Sequence, residues 1–190
     1  MRLCFIVIPL LFLGCHIVYA GDLKGNVGTS ANYLNINDDN YEYVSNSDQF
    51  KLSSISVGLS YKIDQKHPIL ISATTNRLFN QPTSRQVVNK KTGRSFENRT
   101  KTTADTLILG YQLNRFIPAV FISNVGVDKR LYRDNEQIDK TKQHTLLYGF
   151  QLTCFYDKAL AFSAAFLAPN QELGLETGVV LTASYHFNLL

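Results

Sequence analysis

The sequence predicts an all-β fold, an eight-stranded antiparallel transmembrane up-and-down β-barrel behind a cleaved signal peptide, and three observations predict it. The N-terminus has the layout of an export signal. The chain after it alternates apolar and polar residues with a period of two. The connections between the alternating segments are long and short in turn.

The first twenty residues carry a positive charge at Arg2, an apolar run from Leu3 to Leu13 and an end of Val18, Tyr19 and Ala20. This predicts a signal peptide over 1–20, cleaved after Ala20, and a barrel domain over 21–190. Lipid attachment at Cys15 fits less well, because Phe12 and the apolar residues after Cys15 depart from that processing pattern. Cleavage removes Cys4 and Cys15 and leaves Cys154 alone, so no disulfide forms within the mature chain. No later stretch approaches the roughly 18 consecutive apolar residues of a membrane helix, so a mature chain in a membrane crosses it as strands. Without Arg2, 18 basic residues face 15 acidic ones, too small an excess to imply nucleic acid.

The first strand sets Leu23, Gly25, Val27, Thr29, Ala31 and Tyr33 on one face, with Lys24, Asn26, Gly28, Ser30 and Asn32 on the other. In the second, Ile55, Val57, Leu59, Tyr61 and Ile63 alternate with Ser56, Gly58, Ser60 and Lys62. A third runs from about Ile69 to Phe79. The fourth opposes Leu107, Leu109, Tyr111 and Leu113 to Thr106, Ile108, Gly110 and Gln112. The fifth places Ile117, Ala119, Phe121, Val125 and Val127 on the apolar face against Asn124, Gly126 and Asp128, with Pro118 near its start, where a missing donor is tolerated. The sixth sets Leu146, Tyr148, Phe150, Leu152 and Cys154 against Gly149, Gln151 and Thr153. The seventh sets Leu160, Phe162, Ala164 and Phe166 against Ala161, Ser163 and Ala165. The eighth sets Leu175, Val179, Leu181, Ala183, Tyr185, Phe187 and Leu189 against Glu176, Gly178, Thr182, Ser184 and His186.

Long polar connections are predicted at about 37–49, 80–101 and 129–142, with a shorter one at 169–174. Tight turns fall near 64–68, 114–116 and 157–158. An even strand count puts both termini on the short-turn side. The polar face is mostly Ser, Gly, Thr, Ala, Asn and Gln, which suits the crowded interior of a small barrel and not the Lys- and Glu-rich exterior of a soluble one. The apolar face carries almost no charge through mid-strand, as hydrocarbon demands when a midplane charge costs about 2–4 kcal/mol. The chain lacks Trp, so Tyr33, Tyr61, Phe79, Tyr111, Phe116, Tyr148, Tyr185 and Phe187 are the candidates for the interfacial girdles.

In this pattern the mature chain resembles the small OmpA/OmpX and opacity-type outer-membrane barrels, and Phe187 and Leu189 on the last strand resemble their terminal signature. The resemblance implies an eight-stranded barrel in the bacterial outer membrane and a role in surface adhesion or envelope integrity. It fixes no ligand.

The second long connection holds Arg85, Lys90, Lys91, Arg94, Arg99 and Lys101 against Glu97 alone, a candidate patch for sulfated glycans, lipopolysaccharide phosphates or an acidic host surface. It reads more readily as a solvated loop whose charges keep it soluble, or as the counterpart of the acidic first connection with Asp38, Asp39, Glu42 and Asp48. Ser184 and His186, two apart on the inward face, invite comparison with lipid A deacylases that use a His and Ser pair. Their position near the periplasmic end argues against catalysis. Lys24, Lys62, Asp128 and Glu176 are further candidates for the lumen, where internal pairing is expected before conduction. The expectation is a monomeric, non-enzymatic surface protein without cofactor or metal, in contact with outer-membrane lipid and lipopolysaccharide. A narrow channel or small-ligand transporter, and a lipid A-modifying enzyme, are the rival readings.

Overall fold

Period-two alternation becomes ten β-strands among the residues that this computed structural model describes, which are 22–36, 40–43, 51–63, 68–80 and 82–189. The expected signal peptide and its cleavage site lie outside the described residues. The strands are β1 (Asp22–Ile36), β2 (Tyr41–Tyr43), β3 (Lys51–Lys62), β4 (Ile69–Asn80), β5 (Thr83–Asn89), β6 (Ser95–Tyr111), β7 (Phe116–Arg133), β8 (Glu136–Phe155), β9 (Leu160–Leu167) and β10 (Leu175–Asn188).

Eight of them close a barrel in the order β1, β3, β4, β6, β7, β8, β9, β10, with every neighbouring pair antiparallel and β10 returning to β1. Closure matters because a strand edge in hydrocarbon would leave N–H and C=O groups unpaired. The ends of the described chain meet at the short-turn side, where Asp22 opposes Lys62 and Lys24 opposes Asn188. The turn between β6 and β7 is tight because Asn114 adopts a left-handed conformation with φ of 56°.

The other two strands lie on the long-connection side. There β4 leaves β6 after Thr75 pairs with Asp105, and β5 takes its place along residues 95–100 with β2 beyond it. At the junction the Asn76 side chain accepts a 2.6 Å hydrogen bond from the Ala104 N–H, and Arg77 Nε donates to Asp105 at 2.8 Å. The segments expected as loops over 80–101 and 129–142 are therefore largely strand: β5–β6 is one hairpin, and β7–β8 turns only at Asp134 and Asn135. Their polarity concealed them, because a strand above the lipid needs no apolar face.

Outward-facing residues form an apolar belt. Leu107, Leu109, Tyr111, Phe116, Val120, Ile122, Leu146, Tyr148, Phe150, Phe162, Phe166, Leu181, Tyr185 and Phe187 are all exposed, a surface for hydrocarbon and not for water. On β8 the belt runs from Leu146 to Cys154, eight steps of about 3.4 Å, which at a tilt of about 40° is roughly 21 Å high. The faces of β1, β3, β6, β8 and β9 are as the alternation predicts.

Strand β7 is reversed. Ile117 is 3% exposed and Phe121 7%, and with Ala119, Val125 and Val127 they line the interior, while Val120 at 58% and Ile122 at 45% meet the outside. Both faces of this strand are apolar, so periodicity could not choose between them. Asp128 correspondingly points outward, not into the lumen. Leu175 is also interior, because the pairing slips between Asn35 and Ile36, and the extra residue, Glu176, changes the parity of the strand below it. The interior thus has two walls. Ile108, Ala119, Phe121 and Ala165 pack together with Leu167 and Val180 on one side. Serines, threonines and Asn26 of β1, β3 and β4 cover the other.

Candidate functional site

Period-two spacing continues into the two projecting hairpins, and this alternation builds the site. Outward parity on β6 brings up Glu97, Arg99 and Lys101; on β7, Asp128, Arg130 and Tyr132; on β8, Lys140, Lys142 and His144. The register lays them in rows. Arg99 stands opposite Arg130, and Arg130 opposite Lys140. Lys101 stands opposite Asp128, and Asp128 opposite Lys142. Along each strand these rows stand above Leu107, Ile122 and Leu146, the last apolar positions of the belt, with Asp105 and Thr103, Asn124 and Gly126, and His144 in between.

Two carboxylates organise the cations. Glu97 takes a bidentate pair from Arg99, with Nε at 2.8 Å and Nη2 at 3.0 Å, and a 2.6 Å bond from the Ser84 hydroxyl. The Arg99 guanidinium also lies 4.4 Å from the centre of the Tyr132 ring. Asp128 accepts from Arg130 at 3.1 Å and 3.3 Å, and Lys142 stands 4.0 Å from it. The bonds from Arg99 and then Ser84 hold the Glu97 carboxyl below its ordinary range. Asp128 is held low first by Arg130 and further by the charges of Lys140 and Lys142. Both arginines are pushed up by the same contacts. The carboxylates fix the arginines in place, and the lysines leave the surface in positive excess.

That excess is concentrated. Residues 83–103 and 127–145 hold eleven Lys and Arg against five Asp and Glu, whereas the rest of the chain has eight against ten. The two hairpins are basic, with Glu42 of β2 opposite Val88 beside them.

The six cations singled out in the sequence fall into two groups. Lys90, Lys91 and Arg94 sit at the exposed tip of the β5–β6 hairpin. There the Asn89 side chain accepts from the N–H groups of Lys91 and Thr92 at 3.0 Å each, and Gly93 takes a φ of 66°. Arg85 stands on β5 opposite Asn98. Arg99 and Lys101 belong to the outward rows. Arg130, Lys140 and Lys142 were missed because residues 129–142 read as a loop. The signal was nevertheless present, in the two-residue spacing of 97, 99, 101, of 128, 130, 132 and of 140, 142, 144.

Ser184 and His186 do meet, Oγ to Nε2 at 3.0 Å, on the interior face at the short-turn end, with the imidazole packed 5.0 Å from the Phe155 ring. Among the described residues, no three His, Cys, Asp or Glu side chains group as metal ligands would.

No protein-family model matches the chain, and no curated protein does. Among solved structures it is similar to Ail, the attachment invasion locus protein of Yersinia pestis. The structure of Ail in complex with the heparin analogue sucrose octasulfate aligns with a TM-score of 0.56 at 10% identity, over 88% of this chain and 99% of Ail. A second Ail structure gives 0.55 at 8% identity over the same shares. At such identity the likeness establishes the fold alone, a small eight-stranded antiparallel β-barrel.

Proposed function

We propose that the protein is a non-enzymatic barrel of the bacterial outer membrane whose outward basic rows bind polyanions carrying phosphate or sulfate groups. Lipopolysaccharide phosphates beside the barrel and sulfated glycans beyond the cell present the same chemistry to it. The observation that carries this reading is the placement of Arg99, Lys101, Arg130, Lys140 and Lys142 on one outward face of the sheet that continues above the apolar belt. Anionic headgroups or glycan sulfates that reach this height meet several cations at once, on sheet backbone that is already ordered. A sulfated ligand on a barrel of the same fold, in Ail, is consistent with that chemistry. The tip cations Lys90, Lys91 and Arg94 extend the field outward and contribute to encounter more than to seating. The export signal over 1–20, with its cleavage after Ala20, belongs to the same proposal.

The test is heparin and lipopolysaccharide binding to refolded protein before and after Lys101→Glu, Lys140→Glu and Lys142→Glu are combined. Exposed charge pairs contribute about 0.2–1 kcal/mol each, so three reversals predict roughly tenfold weaker binding or more, with a shallower salt dependence. Unchanged binding of both polyanions would reduce the rows to a solvated surface.

A further inference from the structure

We propose that the barrel interior is a binding site for a small uncharged molecule with an apolar body and one hydrogen-bond donor. The inference starts from the reversed faces of β7. Turning Ile117, Ala119, Phe121, Val125 and Val127 inward gives the lumen an apolar wall interrupted only by Ser123 along this strand. The opposite wall of β1, β3 and β4 offers Asn26, Ser54, Ser56, Ser60, Ser72 and Thr74. Between them lies a cavity of about 280 Å³. An engineered apolar cavity of about 150 Å³ accepts benzene, so this one suits one or two fused rings or a chain of similar bulk.

Charge is confined to the two ends of the cavity. Its only ionisable lining residues, among those described, are Lys129 toward the outer hairpins and His186 at the short-turn end, and no carboxylate lines it. The interior is therefore not closed by a ladder of ion pairs. A permeating ion would cross an apolar wall without a counter-charge, which disfavours ions and favours neutral solutes.

The space is kept open by missing side chains. A Cβ on Gly149 would come within 2.8 Å of the Phe121 ring and 2.0 Å of the Phe166 carbonyl oxygen. The ring of Phe121 thus lies against bare backbone at the wall, not across the lumen. The hydroxyls of the polar wall largely satisfy one another, as in Ser30 with Ser54 at 2.9 Å and Asn26 with Ser60 at 3.1 Å.

Among the described residues, one buried polar side-chain atom is left over. Asn32 Oδ1, on the cavity wall, is buried and has no hydrogen-bond partner. Asn32 pairs in register with Val180, which packs against the cluster of Ile108, Ala119, Phe121 and Ala165. The atom is enclosed, so a turn of the Asn32 side chain presents it to the cavity, where it complements a ring or chain that carries a single O–H or N–H. A buried carbonyl without a partner is costly, and a ligand donor would relieve that cost.

The experiment uses the full mature chain refolded in detergent, with naphthol as fluorescent probe, naphthalene as the probe lacking a donor and naphthalenesulfonate as the charged one. The expected result is saturable naphthol binding above the detergent blank, roughly five- to tenfold tighter than naphthalene, with naphthalenesulfonate excluded. Asn32→Leu should bring naphthol down to the naphthalene level. Ala119→Phe should abolish binding of both by filling the space. If Ala119→Phe does not fold, Phe121→Ala serves instead and should shift preference toward a larger probe. Both variants must keep the folded, heat-modifiable band. Heparin binding should be untouched by Asn32→Leu, which separates this inference from the polyanion proposal. Binding indistinguishable from the blank, equal binding of the charged probe, or binding unchanged in Asn32→Leu would each overturn it.

Discussion

Gly149 and the two outward carboxylates show how single positions set the behaviour of this barrel. At Gly149 a methyl group has no room, because the Phe166 carbonyl oxygen and the Phe121 ring occupy the space on either side. Gly149→Ala should therefore cost about 1–3 kcal/mol in equilibrium urea unfolding followed by gel migration, more than the modest cost of the same change at an open position. At Glu97 and Asp128 the sign of the pH effect follows from pKa values held below their ordinary range. Their pairing with Arg99 and Arg130 is fully present above the ordinary carboxylate range and is lost as pH falls through the lowered values. Losing two negative charges leaves the rows more positive, so heparin affinity should rise further as the pH falls below the ordinary carboxylate range and through those lowered values. Glu97→Gln with Asp128→Asn should shrink that rise when binding is followed by fluorescence. Gly149 was legible as a residue of the inward face, but not as a site of contact, because sequence carries no measure of how closely a ring approaches.

At the scale of elements, the segments that alternate apolar with small polar residues were legible, and those with two like faces were not. Strands β3 and β6 pair Leu, Ile and Val with Ser, Thr and Gly, and their orientation follows from burial alone. Strand β7 carries Ile117, Ala119 and Phe121 on one side and Phe116, Val120 and Ile122 on the other, so only its register with β6 and β8 assigns the faces. The hairpin continuations of β5–β8 escaped for the opposite reason, since Val87, Val88, Phe96, Leu131 and Ile138 are too sparse among their polar residues to mark a face. Reversal of β7 makes a direct prediction. Val120→Lys, placed in hydrocarbon, should destabilise by about 2–4 kcal/mol in refolding titrations into lipid vesicles, whereas Ser123→Lys, facing the lumen, should cost less and act through crowding of Thr106.

For the whole molecule, two charge balances coexist in one cylinder: a belt without charge, and above it a pair of hairpins whose positive excess is larger than that of the whole chain. The count of eight barrel strands, the side of the termini and the alternation of long and short connections were all legible, because closure and lipid constrain them jointly. The sheet that continues above the membrane was not, since nothing in water enforces an apolar face. The central claim is a barrel in lipid with β7 facing as described, and the absence of Trp from the sequence allows it to be tested with one introduced residue at a time. Val120→Trp and Phe121→Trp, each refolded into vesicles whose acyl chains carry bromine, report by quenching which side chain touches lipid. Strong quenching at position 120 and little at 121 is the predicted result. Strong quenching at 121 alone would reverse the strand, and none at either position would take the chain out of the membrane.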